Sequence, residues 1–134
     1  MNEIDRPSIV WSKLSLKDRC KGEALFLRAL YYFNLVKQFG GVPLVLEPVT
    51  SQAAVDIKRS KDTQVYDRII LDLKEAAAAF AKAKDVEENG RANENSAMAL
   101  LGKVYLTIGN HAEAEKALSS VMSSGKYTLL PEYA

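Results

Sequence analysis

The stretch "KGEALFLRALYYFNLVKQFGGVPLVLEP", Lys21 to Pro48, limits the fold more than any other part of the chain. It predicts a helix over about Lys21 to Phe39, stopped by Gly40 and Gly41. At helical spacing, Glu23, Asn34, Lys37 and Gln38 gather on one narrow face. Nearly everything else is apolar, so the helix must pack on more than one side. Arg28 lies across from the polar face, among Ala24, Tyr31, Tyr32 and Leu35. An unpaired guanidinium there would be prohibitive, so it needs an acidic or carbonyl partner. Asp72 is the first choice, helped by the hydroxyl of Tyr31 or Tyr32.

The next segment, Val42 to Asp62, is a long link stiffened by Pro43 and Pro48, and "VPLVLEPV" reads as an extended piece lying across the helices. The glycine pair lets the backbone approach another element closely. It is not a phosphate loop, because the preceding strand, the glycine spacing and the Lys-Ser/Thr are missing. A second helix is expected over about Thr63 to Ala83, capped by Asp62 or Thr63, with Tyr66, Ile69, Ile70, Leu73, Ala76, Ala77 and Phe80 as its apolar stripe. Asp85 to Asn95 reads as a polar turn.

Two shorter helices follow, about Asn95 to Ile108 and His111 to Ser124, almost without a loop, and so as an antiparallel hairpin. Met98, Leu101, Gly102, Tyr105, Gly109, Ala114, Leu118 and Val121 fall at the offsets of a tetratricopeptide unit. The first two helices make a looser copy with the link inserted. The fold expected is therefore all-α, tetratricopeptide-like hairpins: four main helices with a long Gly/Pro-containing link after the first. The organisation is a lead-in over 1–20, a first pair over 21–83 with the 42–62 insertion, and a second pair over 95–125. Trp11 would anchor the lead-in by burial, and "KYTLLPEYA" would end the chain as an extended segment. The first helix is too apolar for a complete small bundle, which points to missing neighbours.

Little in the sequence suggests catalysis. A net charge of +1 over 134 residues, with no basic bank, argues against nucleic acid as partner. Cys20 is the one cysteine and His111 the one histidine, so neither an internal disulfide nor a histidine-rich zinc site is expected. Met1 to Asp18 has no apolar signal core, and no apolar run reaches the roughly 18–20 residues that span a bilayer. As given, the chain reads as soluble. Asp67, Asp72, Glu75, Asp85, Glu87 and Glu88 offer carboxylates, but their spacing selects no catalytic pair. Asn93 and Asn95 suit a helix cap. Arg91 can bond a loop carbonyl or carboxylate. Trp11, Tyr127 and Tyr133 lie outside the helices and are freer than the helical aromatics to meet a ligand. No catalytic residue, metal or cofactor is expected.

Several ordered motifs resemble the SusD/RagB family of outer-membrane nutrient-binding lipoproteins of Bacteroidetes. "GEALFLRALYYFNLVKQFGGVPLV" is similar to that family's "EA-x-FLRA-x-x-YF-x-L-x-x-x-x-GGVPLV". "VYDRIILDLKEAA", "GRANENSAMALLGKVYLTIGNHAEA" and "VMSSGKYTLLPEY" resemble later segments, so the likeness covers about Lys21 to Tyr133. It implies a non-catalytic component that captures a glycan or other nutrient beside a TonB-dependent, SusC-like transporter, on a surface lipoprotein of several hundred residues. The present chain would be part of its helical scaffold. Arg28, Tyr32, Gly41, Pro43 and Asp72 match hallmark positions and carry over as structural. Trp11, Arg91 and Tyr127 are the ligand-contact candidates within this chain. Cys20 is not the acylated cysteine of that family, since no apolar segment precedes it. The alternative is a stand-alone tetratricopeptide-like adaptor that binds a peptide in its concave face.

Overall fold

The computed structural model describes residues 14–84 and 90–128. Among them the fold is all-helical. The elements are α1 (Leu14–Phe39), α2 (Ser51–Val55), α3 (Asp62–Lys82), α4 (Glu94–Thr107) and α5 (His111–Ser123). The expected four main helices are present, and α2 is a short addition inside the link. α1 packs along α3, α3 packs on α4, and α4 pairs with α5, while α1 meets α4 only slightly. Trp11 and Tyr133 lie outside the described residues, as do Asp85, Glu87 and Glu88.

The core follows the apolar spacing of each helix. Phe33, Leu25, Ile69, Leu73, Val65 and Val104 are the largest apolar side chains with essentially no exposure. Burying each contributes about 1.5–3 kcal/mol. One cluster joins Ala29, Phe33 and Val36 of α1 to Val65, Ile69 and Leu73 of α3 and to Leu101, Val104, Tyr105, Ala114 and Ala117 of the terminal hairpin. Leu25, Ala76, Phe80 and Ala97 form a second, smaller cluster.

The terminal hairpin has its expected compact turn. Gly109 takes φ +77°, a left-handed conformation that suits glycine. Asn110 then caps α5, its side-chain oxygen accepting from the Glu113 N–H at 3.3 Å. A Cβ on Gly102 would sit 2.6 Å from Leu118 Cδ2, so the small residue is what lets α4 and α5 close together.

Two boundaries differ from those read from the sequence. α1 begins at Leu14, so residues 14–20, assigned to the lead-in, are helical. The reason is tertiary. Arg19 and Gly22 are both buried, and a Cβ on Gly22 would meet Phe80 Cε1 at 2.9 Å. Neither residue belongs to an apolar period, so the pattern is silent there. The cap of α3 is Lys61 rather than Asp62 or Thr63. The Gln64 side chain reaches back to accept from the Lys61 N–H at 3.0 Å.

Candidate functional site

Arg28 meets the partner expected of it. Its Nε donates to Asp72 Oδ2 and its Nη2 to Asp72 Oδ1, both at 2.6 Å. This bidentate fork joins α1 to α3 with matched planar geometry. Asp72 has 0% exposure, and Arg68, one turn earlier on α3, donates to the same Oδ1 at 2.5 Å. Hydrogen bonding to the Asp72 carboxylate holds Arg28 above its ordinary value, against an opposing effect of burial. Arg68 was legible as an i,i+4 neighbour of Asp72 but was not singled out.

Of the two tyrosines expected to assist Arg28, Tyr31 is exposed and Tyr32 turns its hydroxyl to the link. The Tyr32 hydroxyl accepts from the Val45 N–H at 2.7 Å and donates to the Val45 carbonyl at 3.2 Å. It pins the extended chain after the glycines to the side of α1, and Val42 and Leu44 pack against the core. Gly40 takes φ +67° and ends the helix. At Gly41 a Cβ would lie 2.1 Å from the Ser60 carbonyl oxygen, so only glycine fits where the two ends of the link meet. Val42 follows, its carbonyl accepting from the Ser60 N–H at 3.2 Å, and Pro43 comes next. Arg59, missed in the sequence, closes this corner. Its guanidinium donates to the carbonyls of Phe39 and, at 2.6 Å, of Gly41. A cation on the free carbonyls of a helix end is favourable. The Gly-Gly-Val-Pro break after α1 is thus a backbone corner.

The polar cleft lies elsewhere. Arg19 of α1, Phe80 near the end of α3, Asn93 and Asn95 at the start of α4 and Ser124 after α5 border a cleft of about 350 Å³. The Asn93 side chain caps α4 by accepting from the Ser96 N–H at 3.0 Å and donates to the Tyr127 hydroxyl at 3.3 Å. Asn95 donates to the Ser124 hydroxyl at 3.2 Å. Tyr127 is exposed, and Arg91 precedes the same helix start. Arg91 is engaged by Glu23, donating through Nε at 2.8 Å and Nη2 at 2.5 Å, and Glu23 also accepts from Arg19 Nε at 3.1 Å. The carboxylate partner anticipated for Arg91 is thus Glu23, and the pair ties the approach to α4 to the first turns of α1. Arg91 and Tyr127 stand near one end of α4, Arg91 bonded to Glu23 and Tyr127 to Asn93, and Trp11 lies outside the described residues.

Among the described residues no group of three His, Cys, Asp or Glu side chains could hold a metal ion. No helix there is long and apolar enough to cross a membrane.

Comparison with known proteins decides the family. A family model described as "Starch-binding associating with outer membrane" matches residues 8–106. The chain belongs to the SusD-like family. A curated SusD-like protein of Formosa agariphila is 25% identical over 112 residues, spanning 84% of this chain and 21% of that protein. A second SusD-like protein of the same organism is 30% identical over 108 residues, spanning 76% of this chain and 20% of its own length. The SusD-like chain therefore corresponds to about a fifth of these relatives. Among solved structures, a SusD superfamily protein of Bacteroides thetaiotaomicron superposes with TM-score 0.85 at 30% identity, covering 96% of this chain and 30% of its own. A protein described as a laminarin-binding SusD-like protein superposes with TM-score 0.80 at 35% identity, covering 93% of this chain and 27% of its own. A SusD-like protein of Bacteroides fragilis, with TM-score 0.82 at 30% identity over 91% of this chain and 24% of its own, is described as carbohydrate binding.

Proposed function

We propose that this SusD-like chain is the helical scaffold of a non-catalytic nutrient-binding component, with a glycan as the nutrient, in a TonB-dependent outer-membrane uptake system. The observation that carries the reading is the superposition of nearly the whole chain on a SusD-like protein described as binding laminarin. The family's association with the outer membrane points the same way. The chemistry would be reversible recognition, with no bond made or broken. A SusC-like transporter would be the protein partner, and a surface lipoprotein the form in which the longer protein resides.

In this reading Arg28, Tyr32, Gly41, Pro43 and Asp72 are structural. The bidentate pair and the Val45 clamp already occupy the polar groups of Arg28, Asp72 and Tyr32, and the Ser60 contact explains the size of Gly41. Tyr127 is the better ligand candidate within the described residues, because its ring is exposed and its hydroxyl is oriented by Asn93. Arg91 is the poorer one, because its guanidinium is spent on Glu23.

The test is to purify the gene product from its own cells, measure intact mass and lipid content, identify co-purifying proteins and run it through laminarin-containing affinity gels. The expected result is an acylated protein of several hundred residues that co-purifies with a transporter and is retarded by a glucan or another glycan in a panel. A non-acylated product near 14.8 kDa that retains no glycan but holds a peptide partner would replace this reading with that of a tetratricopeptide-like adaptor.

A further inference from the structure

Among the described residues, four helices contribute to the cleft beside Asn93: Arg19 of α1, Phe80 of α3, Asn95 of α4 and Ser120 of α5 line it. Its volume of about 350 Å³ lies at the small end of the range of ligand pockets, about 300–1,000 Å³. That suits a sugar ring with its hydroxyls better than a folded peptide.

The polar side chains of the lining are held from behind. Ser124 Oγ donates to the Val121 carbonyl at 2.7 Å and accepts from Asn95 Nδ2 at 3.2 Å. Asn95 spends one N–H in this bond, and its carbonyl oxygen and second N–H remain for a ligand. The Ser120 hydroxyl, one turn before Ser124 on an exposed position of α5, can both donate and accept. At the rim, Asn93 is committed to Ser96 and to the Tyr127 hydroxyl, and Tyr127 is 57% exposed. Groups fixed before a ligand arrives lose little freedom on binding.

This lining selects a chemical class. An amide that accepts and donates, hydroxyls and an exposed aromatic ring match the hydroxyls and the apolar C–H face of a pyranose. Two cations of the lining stand against acids. Arg19 Nε donates to Glu23 at 3.1 Å, and Lys84 Nζ lies 3.7 Å from Glu94. The cleft thus offers hydrogen bonds more than a field of one sign, which favours a neutral sugar over a uronate or a sulfated one.

We propose that this cleft is a subsite for a neutral pyranose unit of the captured glycan, with Asn95 and Ser120 hydrogen-bonding its hydroxyls and Tyr127 stacking on the ring at the rim. This rests on the reading of the chain as part of a glycan-binding protein.

The test is affinity electrophoresis of the full gene product through gels containing laminarin, starch, polygalacturonate or other members of a glycan panel, with apparent Kd read from retardation at several polysaccharide concentrations. Asn95→Ala removes the amide at a position where alanine suits the helix. Ser120→Tyr places bulk in the cleft from an exposed position. Circular dichroism checks that each variant folds. The expected result is retardation of the wild type by a neutral glycan, with affinity at least threefold weaker in both variants. A folded variant that loses less than this would overturn the subsite and leave the functional reading intact. Tighter binding of polygalacturonate than of every neutral glycan would overturn the neutral class, again with the functional reading intact. Retardation of the wild type by no glycan of the panel would overturn both.

Discussion

Arg28 on α1 and Asp72 on α3 share two parallel hydrogen bonds of 2.6 Å, 44 residues apart in sequence, with the carboxylate wholly enclosed. The pair fixes the register of the two longest helices. Its carboxylate also receives Arg68, so a single buried acid organises two cations.

Asp72→Asn should therefore destabilise the protein by about 3 kcal/mol, because it leaves two partly buried guanidinium groups without their counter-charge. Arg28→Lys should also weaken it, since an ammonium cannot reproduce the fork. Replacing the trio together, Arg28→Met with Arg68→Met and Asp72→Leu, should cost less than Asp72→Asn alone. Urea unfolding of the purified variants measures all three, and equal losses for the single and triple changes would contradict this account.

The two helix-end glycines should differ in what they tolerate. Gly41→Ala forces a Cβ against the Ser60 carbonyl, so the corner must open. We expect a loss of about 2 kcal/mol or more, in the range of overpacked sites. Gly40→Ala meets no neighbour within 4 Å, and its cost is that of a left-handed backbone, about 1–2 kcal/mol. Hydrogen exchange separates the cases: Gly41→Ala should release the Ser60 amide as well, and Gly40→Ala should leave it protected.

Tyr32→Phe removes both bonds to Val45 and little packing. Global stability should fall by about 1 kcal/mol. The larger effect should be local, with faster exchange at the Val45 amide while the amides of α3 and α4 keep their protection. Unchanged exchange at Val45 would mean that the hydroxyl does not hold the link.

Lys116 and Glu113 make an exposed i,i+3 pair on α5, 2.5 Å apart. Hydrogen bonding to the Lys116 ammonium holds the Glu113 carboxyl below its ordinary range. A depressed folded-state value stabilises above the unfolded carboxylate range, and that contribution disappears as pH falls through the folded-state value. The window is therefore acidic, below about pH 4.3. Lys116→Met should raise the Glu113 titration midpoint, read by carboxyl NMR, and 1 M salt should shrink the difference between the two proteins.

The sequence by itself determined the helical class, the stop at Gly40, the terminal hairpin and the need of Arg28 for a polar partner, for which Asp72 was the first choice. Each follows from local rules: apolar period, glycine punctuation, and the need of a guanidinium on an apolar helix for an acid. The family likeness was legible for the same reason, since its motifs are those local signals in order. Only the tertiary structure decided the start of α1 at Leu14, because burial of Arg19 and the Gly22–Phe80 contact depend on residues about sixty positions away. It alone assigned Tyr32 to Val45, Arg59 to the end of α1 and Arg91 to Glu23. A hydrogen-bonding side chain names its chemistry in the sequence but not its partner, which is whichever group the packed helices bring within 3 Å. The same distinction holds for the outer face of α1. Its composition announced an apolar surface, and the packing decided which side of it remained open.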